Sequence, residues 1–227
     1  MKKNVGRQLE HRNLWQPIAD DLREAIHRGD IAPGTKLVTA DLAEQWGVSR
    51  GPVREALMSL ENEGIVVSTP RQGTIVGTPS RDDLVEIFAV REAIETAAGL
   101  AILRADVDEA ARARLTASVE KVDKAWDKVE RGWDSKDSLT ALKLDFAFHQ
   151  AIVDLSGNSR FSAIYRNSIS QNTHHLKGIS PDSWPKLGWG GREAHHAMLA
   201  ALESGDANAW KRAIAAHYRQ TRHSGLS

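Results

Sequence analysis

Val48-Ser49-Arg50-Gly51-Pro52-Val53-Arg54-Glu55-Ala56-Leu57 decides the fold of the N-terminal part of the chain. A serine hydroxyl can accept a hydrogen bond from an unpaired first-turn N–H, so Ser49 is expected to cap a helix. Proline is tolerated in that turn because the turn has no donor to lose, which suits Pro52. Val53, Leu57 and Leu60 then recur at the spacing of one apolar face, while Arg50 and Arg54, four apart, share another. Such a pair is either an ordinary solvated face or a face shaped for a DNA major groove. The segments before and after it decide.

Upstream, Leu14, Trp15, Ile18, Leu22, Ala25 and Ile26 form a helical pattern, with Asn13 as its expected cap and Gly29 as its stop. Residues 1–12 are polar and aperiodic and read as a flexible arm. Thr39 is expected to cap a second, short helix carrying Leu42, Ala43 and Trp46, and Gly47-Val48 then turns into the helix described above. Downstream, Glu63-Gly64 ends that helix. Residues 65–68 and 74–76 are β-branched runs joined by the charged tip Thr69-Pro70-Arg71-Gln72-Gly73. Two short helices joined at a glycine and followed by a hairpin are a winged helix-turn-helix over residues 13–78.

The 227 residues suffice for two modest domains. With 41% hydrophobic and 26% charged residues the composition is that of a globular protein. The absence of cysteine excludes disulfides and thiolate metal sites and fits a reducing cytoplasm. The opening residues have no apolar core of a signal peptide, and no later run approaches about 18 uncharged apolar residues. A cytoplasmic protein without membrane partners is therefore expected. Thirty basic residues balance thirty acids, and residues 1–78 carry ten of each. DNA binding must accordingly rest on local pattern rather than on a basic domain.

After a linker at 79–80, with Ser80 as cap, residues 81–227 read as an antiparallel all-α bundle of about six helices. The helices fall at 81–102, 108–131, 137–155, 159–175, 192–204 and 206–222, and Gly157-Asn158 and Gly205-Asp206 separate neighbours. Residues 178–191 contain Pro, Gly, Trp184 and Trp189 and form either a lid over a ligand or a loop packed on the bundle. The fold class is thus mostly α, a winged helix-turn-helix followed by a helical bundle.

Asp145 and His149 lie four apart on one helix, and an antiparallel bundle can bring His195 and His217 from two later helices opposite them. Three imidazoles and a carboxylate make a nitrogen-rich site for a divalent ion such as Zn2+, Ni2+ or Mn2+; the other reading is a set of satisfied buried or surface histidines. His174 and His175 either line the same cavity or lie at the surface.

Two resemblances bear on these patterns. Residues 14–78 resemble the winged helix of the GntR family of bacterial transcription regulators through Leu42-Ala43, Gly47-Val48-Ser49-Arg50, Pro52-Val53-Arg54-Glu55-Ala56-Leu57, Leu60, Glu63-Gly64 and Arg71-Gln72-Gly73. The resemblance implies that Ser49, Arg50 and Arg54 contact operator DNA and that Gly73 approaches the minor groove. Gly51, Arg71 and Gln72 complete the expected DNA-facing set. Arginine can donate two parallel bonds to guanine, whereas a serine hydroxyl and helix N-terminal amides hold phosphate. Ala40 stands where some relatives carry a DNA-reading arginine, so their operator sequences do not transfer.

Residues 81–222 look like the FCD domain of the FadR branch through Arg91, Ile94-Glu95, Leu144-Asp145, Phe148-His149, Ser156-Gly157-Asn158, His195, Met198-Leu199, Leu202, Gly205-Asp206 and His217. This resemblance implies that Asp145, His149, His195 and His217 coordinate a divalent metal. Arg91 is then either an anchor for a small carboxylate effector or the partner of Glu95, and Asn172 is a further pocket candidate. The combined expectation is a transcription regulator that binds double-stranded operator DNA as a homodimer under control of a small organic acid. Its rivals are a metal-dependent enzyme and a DNA-binding protein with a purely structural metal.

Overall fold

The computed structural model describes residues 14–225 except 71–72, 79, 106, 132–134 and 178–191. The expectations for the arm at 1–12, for Arg71 and Gln72, for the 178–191 loop and for the side chains of His174 and His175 lie outside the described residues. The chain divides into two compact units, Met1–Thr78 and Pro79–Ser227.

The first unit contains α1 (Trp15–Arg28), β1 (Lys36–Leu37), α2 (Thr39–Gln45), α3 (Arg50–Asn62), β2 (Val66–Thr69) and β3 (Gly73–Val76). α1 buries Ile18, Ala19, Leu22 and Ile26, and α3 buries Val53, Ala56, Leu57 and Leu60. These stripes meet around Leu37, Ile65, Val66 and Val76 to form one core. Gly47 takes φ 61°, a left-handed conformation that only glycine adopts without strain, which sets the corner between α2 and α3. Outside the core, Arg23 Nε and Nη2 donate to Glu63 Oε2 and Oε1 at 2.7 and 2.6 Å, clamping α1 to the end of α3.

Four details differ from the sequence expectation. Leu14, not Asn13, stands at the N-cap of α1, and no side chain caps that helix. Ser49 has the extended backbone of an N-cap, φ −71° and ψ 164°, but its side chain makes no capping bond. Thr39 is the first residue of α2 rather than its cap; extended Val38 takes that place, and its carbonyl accepts from Leu42 N–H at 3.1 Å. The hairpin also has a third partner. β1 pairs antiparallel with β3, Lys36 opposite Ile75 and Leu37 opposite Thr74, giving the order β1-β3-β2. A two-residue strand is too short to show a period of two.

The second unit contains α4 (Arg81–Ile102), α5 (Glu109–Arg131), α6 (Ser135–Leu155), α7 (Ser159–Lys177), α8 (Arg192–Ser204) and α9 (Ala207–Gly225). Four of these starts are held by polar side chains that accept first-turn N–H groups: Ser80 for α4, Asp108 for α5, Asn158 for α7 and Asp206 for α9. α4 is the central element, packed against α6, α7 and α9, while α5 lies on α6 and α8. Leu84, Phe88, Phe148, Ile152, Met198, Trp210, Ile214 and Tyr218 are among the residues of the main core. Gly99 marks a close approach of α4 and α9. A β-carbon there would fall inside the Trp210 indole, whose Nε1 donates to the Thr96 carbonyl at 3.1 Å.

Candidate metal centre and nucleic-acid interface

α6, α8 and α9 converge where their inward faces carry polar groups. One turn of α6 separates Asp145 from His149, α8 supplies His195 and α9 supplies His217, and all four are buried. The three imidazoles offer ligand atoms that lie within 4.8 Å of one another. His149 Nε2 is 3.2 Å from His195 Nε2 and 3.9 Å from Asp145 Oδ2, and His195 Nε2 is 3.2 Å from Asp145 Oδ1. The Phe148 ring stands edge-on to His149 and His195 and forms an apolar wall.

The electrostatics suit a cation. Burial pushes the Asp145 carboxyl up, yet the neighbouring His195, His149 and His217 outweigh it and hold the group below its ordinary range. Burial, reinforced by His149 and His195, drives His217 well below its ordinary value, so this ring is neutral and has a lone pair to give. Asp145 Oδ1, His195 Nδ1 and His217 Nδ1 have no hydrogen-bond partner among the described residues. Asp145 Oδ1 is in ion-pair range of His195 Nε2 without an aligned hydrogen bond, and a divalent ion among these groups would satisfy the carboxylate and the buried imidazole nitrogens together. The residues therefore fit the metal that the sequence implied.

Next to this cluster, α4 places two charges in the interior. Arg91 is 2% exposed and Glu95 0%. Arg91 donates through Nε and Nη2 to the Tyr165 hydroxyl at 3.0 and 2.8 Å and lies over the rings of Phe146, Tyr165 and Tyr218. Its distance to Glu95 is 3.9 Å. Glu95 Oε2 is 2.7 Å from His149 Nδ1, and Oε1 accepts from both the Tyr165 and Tyr218 hydroxyls. Burial raises the Glu95 carboxyl, but His149, Arg91 and Tyr165 more than reverse this. Asn172 is wholly buried on α7 with both side-chain polar atoms unpartnered among the described residues.

Sequence reasoning named Glu95 only as a partner for Arg91, and it missed Tyr165 and Tyr218. A signal was present. Leu84, Phe88, Arg91, Glu95, Ala98 and Ile102 follow alternating steps of four and three, so two charges fall in an otherwise apolar stripe.

In the first unit, Ser49, Arg50, Gly51 and Arg54 are exposed at the start of α3. Neither arginine makes a hydrogen bond or ion pair among the described residues, so both guanidinium groups are available to an outside anion or base edge. Gly73 opens β3 at φ 86°, exposed, and a β-carbon there would press on Lys36 Cε at 3.3 Å. That geometry lets the hairpin backbone come close to a partner.

A helix-turn-helix with a wing and two arginines that no described residue engages, followed by a separate helical unit with a buried polar centre, defines a two-unit protein of the winged-helix class. Residues 14–76 match the bacterial regulatory proteins of the gntR family, and residues 86–220 match the FCD domain. The chain belongs to the GntR family and carries an FCD domain. It is 28% identical over 139 residues to the HTH-type transcriptional regulator YdhC of Bacillus subtilis, across 61% of this chain and 59% of that protein. Over 150 residues it is 32% identical to the gluconate operon transcriptional repressor of Bacillus licheniformis, across 66% of this chain and 58% of the repressor. The chain thus spans less than two thirds of the length of either relative. Its fold is that of Escherichia coli McbR/YncC, with a TM-score of 0.67 at 24% identity over 94% of this chain and 99% of that one. The matched family is one of bacterial regulatory proteins, and both relatives are named as regulators of transcription. No described helix is long and apolar enough to cross a membrane.

Proposed function

We propose that this GntR-family protein regulates transcription by gripping a pseudo-palindromic operator as a homodimer, and that a small organic acid bound beside a divalent metal in the helical unit controls its operator affinity. The observation that carries the sensor half is the buried meeting of Asp145, His149, His195 and His217. These residues would hold the ion, and their nitrogen-rich donor set suits Zn2+, Ni2+ or Mn2+. A bound ion that prefers more ligands than four supplies open Lewis-acidic positions for a carboxylate.

The chain's own groups supply the rest. Arg91 adds a fixed positive charge, which burial alone would weaken but Tyr165, Tyr218 and Glu95 sustain. Asn172 adds one donor group and one acceptor that no described residue engages, in the same bundle. Phe148 keeps one side of the centre dry. In the first unit, one of Arg50 and Arg54 reads a base and the other holds a phosphate, with Ser49, Gly51 and the wing residues Arg71, Gln72 and Gly73 fixing register. Two copies are needed because one recognition helix buries too little surface for a specific site.

A thermal-shift screen of organic acids against protein stripped of metal and reloaded with Zn2+, Ni2+ or Mn2+ tests the sensor. Gluconate belongs in the screen because one relative is named for its operon. At least one acid should raise the unfolding temperature of the loaded protein and not of the stripped protein. Equal shifts in both would contradict the metal-centred site.

A further inference from the structure

We propose that Glu95 is a positioning residue of the metal centre: its carboxylate holds the proton of His149 on Nδ1 and so presents Nε2, with its lone pair free, to the ion. This rests on the reading of Asp145, His149, His195 and His217 as metal ligands.

The two ring nitrogens of His149 face different partners. Nδ1 lies 2.7 Å from Glu95 Oε2. Nε2 points the other way, 3.2 Å from His195 Nε2 and 3.9 Å from Asp145 Oδ2. A neutral imidazole has one N–H and one lone pair. A carboxylate can only accept, so a lone pair on Nδ1 would face a lone pair on Oε2 inside a dry core. The stable arrangement has Nδ1–H donating to Glu95 and the lone pair on Nε2, in the cluster. The contact between the two Nε2 atoms follows from this. Before an ion binds, His195 then carries its proton on Nε2, within 3.2 Å of both His149 Nε2 and Asp145 Oδ1; when an ion takes the Nε2 lone pair, that proton passes to solvent or to His195 Nδ1, which no described residue engages.

The competing account makes Glu95 the buried counter-charge of Arg91. Distance decides against it, because the carboxylate is 2.7 Å from His149 and 3.9 Å from Arg91. Both Arg91 donors with short contacts go to Tyr165 instead. Tyr165 and Tyr218 meanwhile donate to Oε1, so the carboxylate plane is held from one side while Oε2 is left for the histidine. Of the three imidazoles, only His149 has its outer nitrogen engaged by a described residue; His195 Nδ1 and His217 Nδ1 have none. The orientation of the centre thus depends on α4, an element that contributes no ligand.

Two measurements on the full chain test this. The first is Zn2+ affinity, by competition with a chromophoric chelator, for the wild type, Glu95→Gln and Glu95→Ala, each checked for folding by circular dichroism. One ion per chain is expected in all three. Glu95→Ala should bind about 10- to 100-fold more weakly, and Glu95→Gln, which keeps an acceptor for Nδ1–H, should lie between it and the wild type. The second is the tautomer of His149 in ion-free wild-type protein by 15N NMR, which needs no variant to fold. Nδ1–H on His149 together with Nε2–H on His195 supports the proposal, and a neutral His149 protonated at Nε2 overturns it. If the wild type binds one Zn2+ and both variants match its affinity, the positioning role fails while the metal centre stands. If the wild type binds no Zn2+, both fail.

Discussion

Asp145 is a carboxylate 3% exposed, 3.2 Å from His195 Nε2 on α8, and His149 Nε2 faces both, 3.2 Å from His195 Nε2 and 3.9 Å from Asp145 Oδ2. Removing the His149 imidazole should therefore abolish stoichiometric metal; elemental analysis of His149→Ala that still finds one ion per chain would discredit the site. His217 makes the ion-free centre sensitive to pH. Burial holds this ring neutral well below its ordinary 6.5, whereas in the unfolded chain it takes up a proton near that value. The unfolded state thus binds more protons as pH falls, so the stability this group contributes is intact above about 6.5 and is lost progressively below it. Between pH 7.5 and 5.5, ion-stripped wild type should lose more thermal stability than ion-stripped His217→Gln, and equal losses would refute the assignment. At the other end of the molecule, Arg54→Ala should weaken operator binding by about 1 to 3 kcal/mol if Arg54 reads a base. If it holds a phosphate, the same variant should flatten the salt dependence of binding instead; affinity unaltered at every salt concentration would remove it from the interface.

Among the elements, α4 carries the most structural weight, since it touches α6, α7 and α9 and brings Glu95 to the histidines. Gly99 sets its distance from α9. The Gly99→Ala methyl would collide with the Trp210 ring, which is itself pinned to Thr96, so the helices must part. Overpacking of this kind costs about 1 to 3 kcal/mol; chemical denaturation showing no loss in Gly99→Ala would mean that the contact is looser than described. The elements were largely legible in the sequence because α1 and α3 have one apolar stripe each and because Ser80, Asn158 and Asp206 sit where helices must start. β1 was not legible, since two residues show no alternation. The convergence of Asp145, His149, His195 and His217 could be read from one i, i+4 pair and the antiparallel order of later helices. Glu95, Tyr165 and Tyr218 could not be placed that way. Their contacts join α4 to α7 and α9 across 70 and 123 residues of sequence, and only the packing angle of those helices determines which side chains meet.

For the whole molecule, the winged helix and the bundle are separate compact units, so control of one by the other must be a linkage between binding sites. An acid can alter operator affinity only by its own preference between the free and the operator-bound forms, and the operator must alter acid affinity by the same factor. Metal removal should abolish both effects together if the ion supplies part of the acid's site. The direct test is a calorimetric titration of metal-loaded protein with an acid identified by thermal shift, with and without a duplex that the protein has selected from a random pool. The account predicts that the acid's dissociation constant changes when the duplex is bound, and that the duplex's dissociation constant changes by an equal factor when the acid is bound. An acid affinity identical in the two titrations would contradict the claim that this helical unit governs DNA binding.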